Sequence, residues 1–144
     1  MPAKLAILFP SVVMALMSLT VIFALGLRRF AATRNKTVSV KYYRTFSDGP
    51  GEPDSLRQHS RHVQNHFEVP PLFHLAVWGT YIAGSVTPFA TATAWVFVAS
   101  RMVHSGIHLT YNNVLHRFLV YGVGLVATAI LWFRLLITLA ERVA

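Results

Sequence analysis

The sequence contains no cysteine and few charged residues, and each shortage argues against whole classes of protein. Without cysteine, the chain forms no disulfide, builds no thiolate zinc site and offers no cysteine nucleophile. Charged residues make up 12% of the 144 residues and hydrophobic residues 54%, whereas soluble domains average about 25% charged residues. The composition therefore argues against a free-standing soluble globule, and the length predicts a single domain over residues 1–144.

Long apolar runs provide the segments that a bilayer requires, about 20 residues for each helix. The first run contains no charge and is longer than the apolar core of a signal peptide, so we expect it to be retained as a span. A turn signal at 85–88 divides the later apolar sequence. The economical interpretation is four helices, which cover 5–28, 55–84, 88–111 and 114–142. The predicted fold is an all-α, integral membrane four-helix bundle.

Basic residues are distributed unevenly, and their distribution predicts an orientation. In a four-helix bundle, the hydrophilic loop over 29–54 and the connection between helices 3 and 4 lie on the same side. That side and its helix ends collect most of the basic residues, namely Arg28, Arg29, Arg34, Lys36, Lys41, Arg44, Arg57, Arg61, Arg101 and Arg117. The opposite side holds Lys4 and Arg142. The positive-inside rule then predicts a cytoplasmic loop and two external termini. Topology and attraction to anionic membrane lipids explain the charge of +8 without a nucleic-acid partner.

Polar and charged residues within the predicted spans are the main functional signal, because such residues usually face the protein interior. Helix 2 has them at spacing i, i+4, i+7, helix 3 at i, i+3, i+7, and helix 4 begins with an arginine. The residues are Arg61, Asn65 and Glu68, then Arg101, His104 and His108, and finally Arg117. Their surplus positive charge suits an anionic ligand, since arginine presents a planar fork that matches a carboxylate.

Two other interpretations use the same helices. The charged stripes suit an intramembrane salt-bridge network that holds the assembly together, because buried ion pairs are often structural. The pairs His62/His66 and His104/His108 have a spacing that is able to ligate a metal ion. Three nearby arginines would repel a cation, so we expect no metal site.

Two motifs resemble a known family. Helix 2 contains R-x-x-x-N-x-x-E-x-x-P between Arg61 and Pro71, and helix 3 contains R-x-x-H between Arg101 and His104. Through these motifs and Arg117, the chain resembles the MAPEG family, the membrane-associated proteins of eicosanoid and glutathione metabolism, and in particular a prokaryotic branch. The resemblance implies a four-helix protomer that assembles as a homotrimer, here in a bacterial inner membrane.

The resemblance also implies a ligand and a reaction. Glutathione would bind between neighbouring protomers near the cytoplasmic face, and a lipophilic electrophile would approach from the bilayer. The implied activity is that of a glutathione-dependent transferase or peroxidase, in which Arg29 or Arg117 stabilises the glutathione thiolate. The residues that would bind glutathione are Arg61, Asn65, Glu68, Arg101, His104, His108 and Arg117.

One departure from the family pattern favours an alternative. Many glutathione-using members have tyrosine four residues after the histidine of R-x-x-H, where this chain has His108. The alternative is a non-enzymatic membrane protein that binds a lipid headgroup or another anion, or an accessory subunit of a larger membrane complex.

Overall fold

The computed structural model describes residues 2–47 and 49–144. Met1 and Asp48, which the predicted single domain includes, lie outside the described residues. The helices, in chain order, are α1 (Pro2–Leu5), α2 (Leu8–Arg34), α3 (Tyr42–Thr45), α4 (Asp54–Asn65), α5 (Pro70–Ile82), α6 (Pro88–Leu109) and α7 (Val114–Val143). The described residues contain no β-strand, and the prediction of an all-α fold is confirmed.

Side-chain caps and prolines explain where the later helices begin. The Thr87 hydroxyl accepts a hydrogen bond from the amide of Ala90 at 3.1 Å, and Pro88 occupies the first helical position of α6. Asn113 caps α7 in the same way, since its side-chain oxygen accepts from the His116 amide at 3.0 Å. The helix predicted over 5–28 begins at Leu8 and continues to Arg34, so the first part of the predicted loop is helical.

The helix predicted over 55–84 is divided into α4 and α5, which differs from the prediction. Pro70 and Pro71 have no amide hydrogen, so the carbonyls of His66 and Phe67 would lose their helical partners in a continuous helix. The chain instead ends α4 at Asn65, makes a turn, and begins α5 with the two prolines in its first turn.

Five helices, α2 and α4 to α7, pack into one bundle. Helix α2 packs against α4, α5 and α6, while α7 packs against α5 and α6. Stacked rings of Phe73 and Phe97, with centroids 4.0 Å apart, lie in the core between α5 and α6. Gly79 lets α7 approach α5, because a Cβ at this position would lie 2.6 Å from a methyl carbon of Leu135.

The outer surface of the bundle is apolar, as a bilayer requires. Large hydrophobic side chains on α2 and α7 are mostly exposed, including Phe23, Phe118 and Phe133. Helices α2 and α7 are each long and apolar enough to cross a membrane. A soluble protein would bury such side chains in its core.

Candidate functional site

The break between α4 and α5 separates the three polar residues of the helix 2 motif. Arg61 lies on α4, Asn65 is the last residue of that helix, and Glu68 lies in the turn that follows. Arg61 and Glu68 are exposed, whereas Asn65 is half-buried. The three side chains therefore do not share one continuous helical stripe, although all of them lie at the same end of the bundle.

Three arginines line one polar cavity of about 400 Å³, which we call the arginine cavity. Its lining residues come from α4, from the end of α6, from the turn that follows and from the start of α7, and they are Asp54, Arg57, Gln58, Arg61, His108, Asn112 and Arg117. Asp54 forms a salt bridge with Arg57. Arg61 and Arg117 form no salt bridge within residues 2–47 and 49–144. Their charges remain available to an anion that enters the cavity.

Arg117 is held in place by two neighbours at its own end of the bundle. Its Nη1 donates to the side-chain oxygen of Asn112 at 2.7 Å and lies 3.0 Å from Nε2 of His108. Arginine has no acceptor atom, so this histidine nitrogen accepts the hydrogen bond. The side-chain amide of Gln58 donates to the backbone carbonyl of His108 and ties α4 to α6. The guanidinium is therefore oriented before any ligand arrives.

A second, smaller cavity of about 200 Å³ lies beside the first. It is lined by Asn65, His104, Val114, Arg117, Phe118 and Tyr121. Arg117 lines both cavities. A ligand that contacts Arg117 can therefore reach Arg61 on one side, and Asn65 and His104 on the other.

Tyr121 connects Glu68 to the buried arginine of helix α6. The tyrosine hydroxyl donates to a carboxylate oxygen of Glu68 at 3.2 Å. The guanidinium of Arg101 lies over the ring of Tyr121, 4.3 Å from its centroid, and 5.1 Å from that of Phe97. Arg101 is 3% exposed, and its three guanidinium nitrogens have no hydrogen-bond partner in the described part of the chain. It lines neither polar cavity.

Space for Arg101 depends on a glycine of helix α7. A Cβ at Gly124 would lie 2.7 Å from the hydroxyl oxygen of Ser100 and 3.1 Å from Nη2 of Arg101. The guanidinium thus occupies room that any larger residue at position 124 would fill. The predicted stripe of Arg101, His104 and His108 on α6 is therefore divided. Arg101 is buried against α7, whereas His104 and His108 line the two polar cavities.

Four buried imidazoles converge between α4 and α6. They belong to His62, His66, His104 and His108, whose ring centroids lie 4.9 to 6.0 Å apart in the four pairs that make contact. Within the ranges 2–47 and 49–144, no three His, Cys, Asp or Glu side chains are arranged to hold a metal ion. Both ring nitrogens of His62 lack a hydrogen-bond partner among these residues. The cluster packs the two helices together beside the arginine cavity.

Arg29 is engaged in a different network, which fastens the loop between α2 and α4. Its Nε donates to Glu52 at 2.7 Å and its Nη2 to the Ser60 hydroxyl at 3.0 Å, while Ser60 donates to Glu52 at 2.8 Å. The rings of Tyr43 and Phe46 lie 5.3 and 5.5 Å from the guanidinium carbon. Burial, followed by the charge of Glu52, raises the pKa of the Tyr43 phenol.

Five polar residues that line the two cavities were not selected from the sequence. They are Asp54, Arg57, Gln58, Asn112 and Tyr121. Tyr121 follows Arg117 by four residues and so shares its helix face, a signal that was present in the sequence. Asn112 has a left-handed backbone, with φ of 51°, at the turn between α6 and α7. Asparagine is common in this conformation, so its presence in the sequence is explained by the turn and does not indicate a contact with Arg117.

Comparison with known proteins agrees with the resemblance that the two motifs carry. No curated protein matches the sequence. The model of the MAPEG family matches residues 7–137, which include helices α2 to α6, most of α7 and every residue of both polar cavities. With an all-helical bundle in which two helices are long and apolar enough to cross a membrane, and with a family match over most of its length, this chain is an integral membrane protein that belongs to the MAPEG family.

Proposed function

We propose that the protein binds glutathione in the arginine cavity and uses its thiol to attack a lipophilic electrophile. The observation that carries this proposal is the position of Arg117, which lines both polar cavities and is already oriented by Asn112 and His108. Glutathione has two carboxylates, one ammonium and one thiol, so its net charge is negative at neutral pH. A cavity of about 400 Å³ with two arginines free of salt bridges suits such a ligand.

The proposed roles follow from charge and position. Arg61 binds a carboxylate of glutathione through its planar fork. Asn65 and His104 lie on the other side of Arg117 and orient the peptide. Glu68, at the edge of the same region, receives the ammonium group. Arg101 is buried against Tyr121 and supports this arrangement from within the bundle.

Arg117 is the proposed electrostatic activator of the thiol. A guanidinium beside the sulfur stabilises the thiolate and lowers the pKa of the thiol, and the released proton passes to solvent. In conjugation, the sulfur forms a bond to the electrophilic carbon and the leaving group departs with the bonding electron pair. With a lipid hydroperoxide, the thiolate sulfur attacks the terminal oxygen and forms a sulfenic acid. The O–O bond breaks with its electron pair on the other oxygen, which takes a proton and leaves as the lipid alcohol. The thiol of a second glutathione then attacks the sulfenic sulfur, which forms the disulfide and releases water. We assign Arg29 to loop anchoring, since its guanidinium is occupied by Glu52 and Ser60.

The proposal includes an assembly and an orientation. We propose a homotrimer in a bacterial inner membrane, with glutathione entering from the cytoplasm and the electrophile from the bilayer. Neighbouring protomers would then cover part of the site and exclude water from the sulfur.

The orientation is testable by labelling. The sequence has no cysteine, so single cysteines at Thr37 and Ala144, both exposed, provide clean reporters. We expect a membrane-impermeant maleimide to label Ala144→Cys in intact cells, and Thr37→Cys only after the membrane is opened. Labelling of both positions from the same side would contradict the four-span topology.

Calorimetry with the purified wild-type protein tests the ligand assignment. We expect glutathione to bind and N-acetylcysteine amide, a neutral thiol, to bind far more weakly, because the arginines recognise carboxylates. The bound thiol should then accelerate conjugation to an aromatic electrophile such as 1-chloro-2,4-dinitrobenzene. If glutathione produces no heat of binding and no conjugation, the enzyme proposal is wrong.

A second candidate function rests on His108. This residue stands where many glutathione-using members of the family have tyrosine. Its Nε2 and the side-chain oxygen of Asn112 both accept a hydrogen bond from Nη1 of Arg117. A site with such an arginine also suits a phosphate of a lipid headgroup, and the protein would then be a non-enzymatic binder or an accessory subunit. Binding of anionic lipid at the arginine cavity, without glutathione binding, would favour this second function.

A further inference from the structure

An open apolar groove of about 480 Å³ runs along the outer surface between α6 and α7, in the half of the bundle away from the arginine cavity. One wall includes Phe89, Ala92 and Val96 of α6, and the other includes Gly122 and Val126 of α7. We propose that this groove binds an acyl chain of an anionic phospholipid whose phosphate is held by Arg134.

Arg134 stands one turn beyond the end of the groove, since Ile130 is its last lining residue on α7. The guanidinium carbon lies 5.2 Å from the ring centroid of Phe89, the first lining residue on α6. This contact keeps the cation at the mouth of the groove. Arg134 forms no hydrogen bond or salt bridge in the described part of the chain, so its donors are free for a ligand.

The depth of Arg134 matches the headgroup layer. It lies 20 residues after Val114, the first residue of α7, and a rise of 1.5 Å for each residue places it about 30 Å along the axis. That distance equals the approximate thickness of the hydrocarbon core. An arginine at this boundary extends toward phosphate groups and avoids the cost of a charge within hydrocarbon.

The floor of the groove exists because position 122 lacks a side chain. A Cβ at Gly122 would meet no atom within 4 Å, in contrast to Gly124, two residues further along the same helix. Gly122 therefore opens space at the surface and makes no close helix contact. The groove is continuous in the direction of the helices, which is the direction of a lipid acyl chain.

Charge complementarity favours a phospholipid over a second copy of the chain. Among the described acidic residues, Glu52, Asp54 and Glu68 lie toward the arginine-cavity end, and Glu141 lies two turns beyond Arg134 on α7 without forming a salt bridge to it. A partner helix seated in the groove would cover Arg134 and could offer it a single carboxylate, that of its own Glu141. A phosphodiester supplies that charge directly, through a charge-assisted hydrogen bond.

Native mass spectrometry of the full-length protein, titrated with phosphatidylglycerol and with phosphatidylcholine, tests the proposal. We expect the wild-type protein to prefer phosphatidylglycerol. Arg134→Gln should weaken phosphatidylglycerol binding at least about tenfold and remove the preference, as expected for loss of a charged hydrogen bond. Gly122→Leu, whose Cβ would meet no atom within 4 Å, should fill the groove and weaken binding of both lipids. Ala92→Leu, on the opposite wall, provides a second filling variant.

Matched controls keep the test specific. Gly26→Leu makes the same change at an exposed position of α2 where a Cβ also meets nothing within 4 Å, and Arg34→Gln removes a charge at the other end of the bundle. Both should bind lipid as the wild type does. Unchanged binding in Arg134→Gln and both filling variants would overturn the proposal. A change of oligomeric mass in the filling variants, with lipid binding retained, would also overturn it and identify a second copy as the occupant.

Discussion

Replacing Arg117 with alanine is expected to weaken glutathione binding by about 1.5–3 kcal/mol, the range for a hydrogen bond to a charged group. That loss corresponds to a Kd roughly ten- to hundredfold higher. The expected effect is large because Arg117 lines both cavities and is oriented in advance by Asn112 and His108. The same change removes the cation proposed to stabilise the thiolate. The pKa of the bound thiol should therefore rise, and conjugation at saturating glutathione should slow at neutral pH and recover as the pH is raised.

Two further variants distinguish an arginine that contacts glutathione from one that only adds positive charge to the cavity. Arg61→Ala should weaken glutathione binding by a comparable amount without moving the pH profile, because Arg61 is assigned to a carboxylate and not to the sulfur. Arg57→Ala is the matched control, since Arg57 lines the same cavity but is paired with Asp54 at the surface. It should change binding little.

Calorimetry measures the binding, and the ultraviolet absorbance of the bound thiolate measures the pKa. Each variant must retain the oligomeric mass of the wild type, because an arginine that only stabilised the assembly would also lose binding when removed. An intact Arg117→Ala oligomer that binds glutathione normally, with an unchanged pH profile, would refute the proposed role of Arg117.

The sequence predicts the membrane-embedded helical fold because apolar run length and charge are local properties. The starts of α6 and α7 are also encoded locally, in the caps supplied by Thr87 and Asn113. The division of the second span was foreseeable in part, since Pro70 and Pro71 are visible in the sequence. The spacing of Arg61, Asn65 and Glu68 nevertheless matches an uninterrupted helix, and periodicity alone does not register two missing amide hydrogens.

The composition of the site depends on contacts between distant segments, which one sequence does not encode in a readable way. The sequence correctly places Arg117 at the start of the fourth span, but its orientation by Asn112 depends on the backbone of the α6–α7 turn. The contact of Glu68 with Tyr121 joins residues that are 53 positions apart. Arg29 shows this most clearly. A basic residue near the end of a span suggests a site for an anionic ligand, but the Arg29 guanidinium already pairs with the carboxylate of Glu52, 23 residues further along the chain.

Arg29→Ala is expected to loosen the α2–α4 loop. The change leaves the carboxylate of Glu52, whose side chain is 3% exposed, without its cation. Removing one partner of a buried ion pair costs about 3–5 kcal/mol, and the lower value applies here because Ser60 still donates to Glu52 and the Arg29 side chain was 30% exposed. The loss should appear first as local opening, since the pair fastens the loop while the apolar spans are stabilised independently.

Limited proteolysis measures that opening at the loop's own basic residues, Lys36, Lys41 and Arg44. When the loop opens and closes faster than trypsin cleaves it, the cleavage rate follows the open population. A cost of about 3 kcal/mol then raises the rate on the order of one hundredfold. Asp54→Asn is the matched control, because it breaks an ion pair in which both side chains are largely exposed, and surface pairs contribute little. Equal cleavage rates in Arg29→Ala and wild type would return Arg29 to the candidates for thiolate stabilisation. An increased rate with retained glutathione affinity would identify Arg29 as the anchor of the loop and leave thiol activation to Arg117.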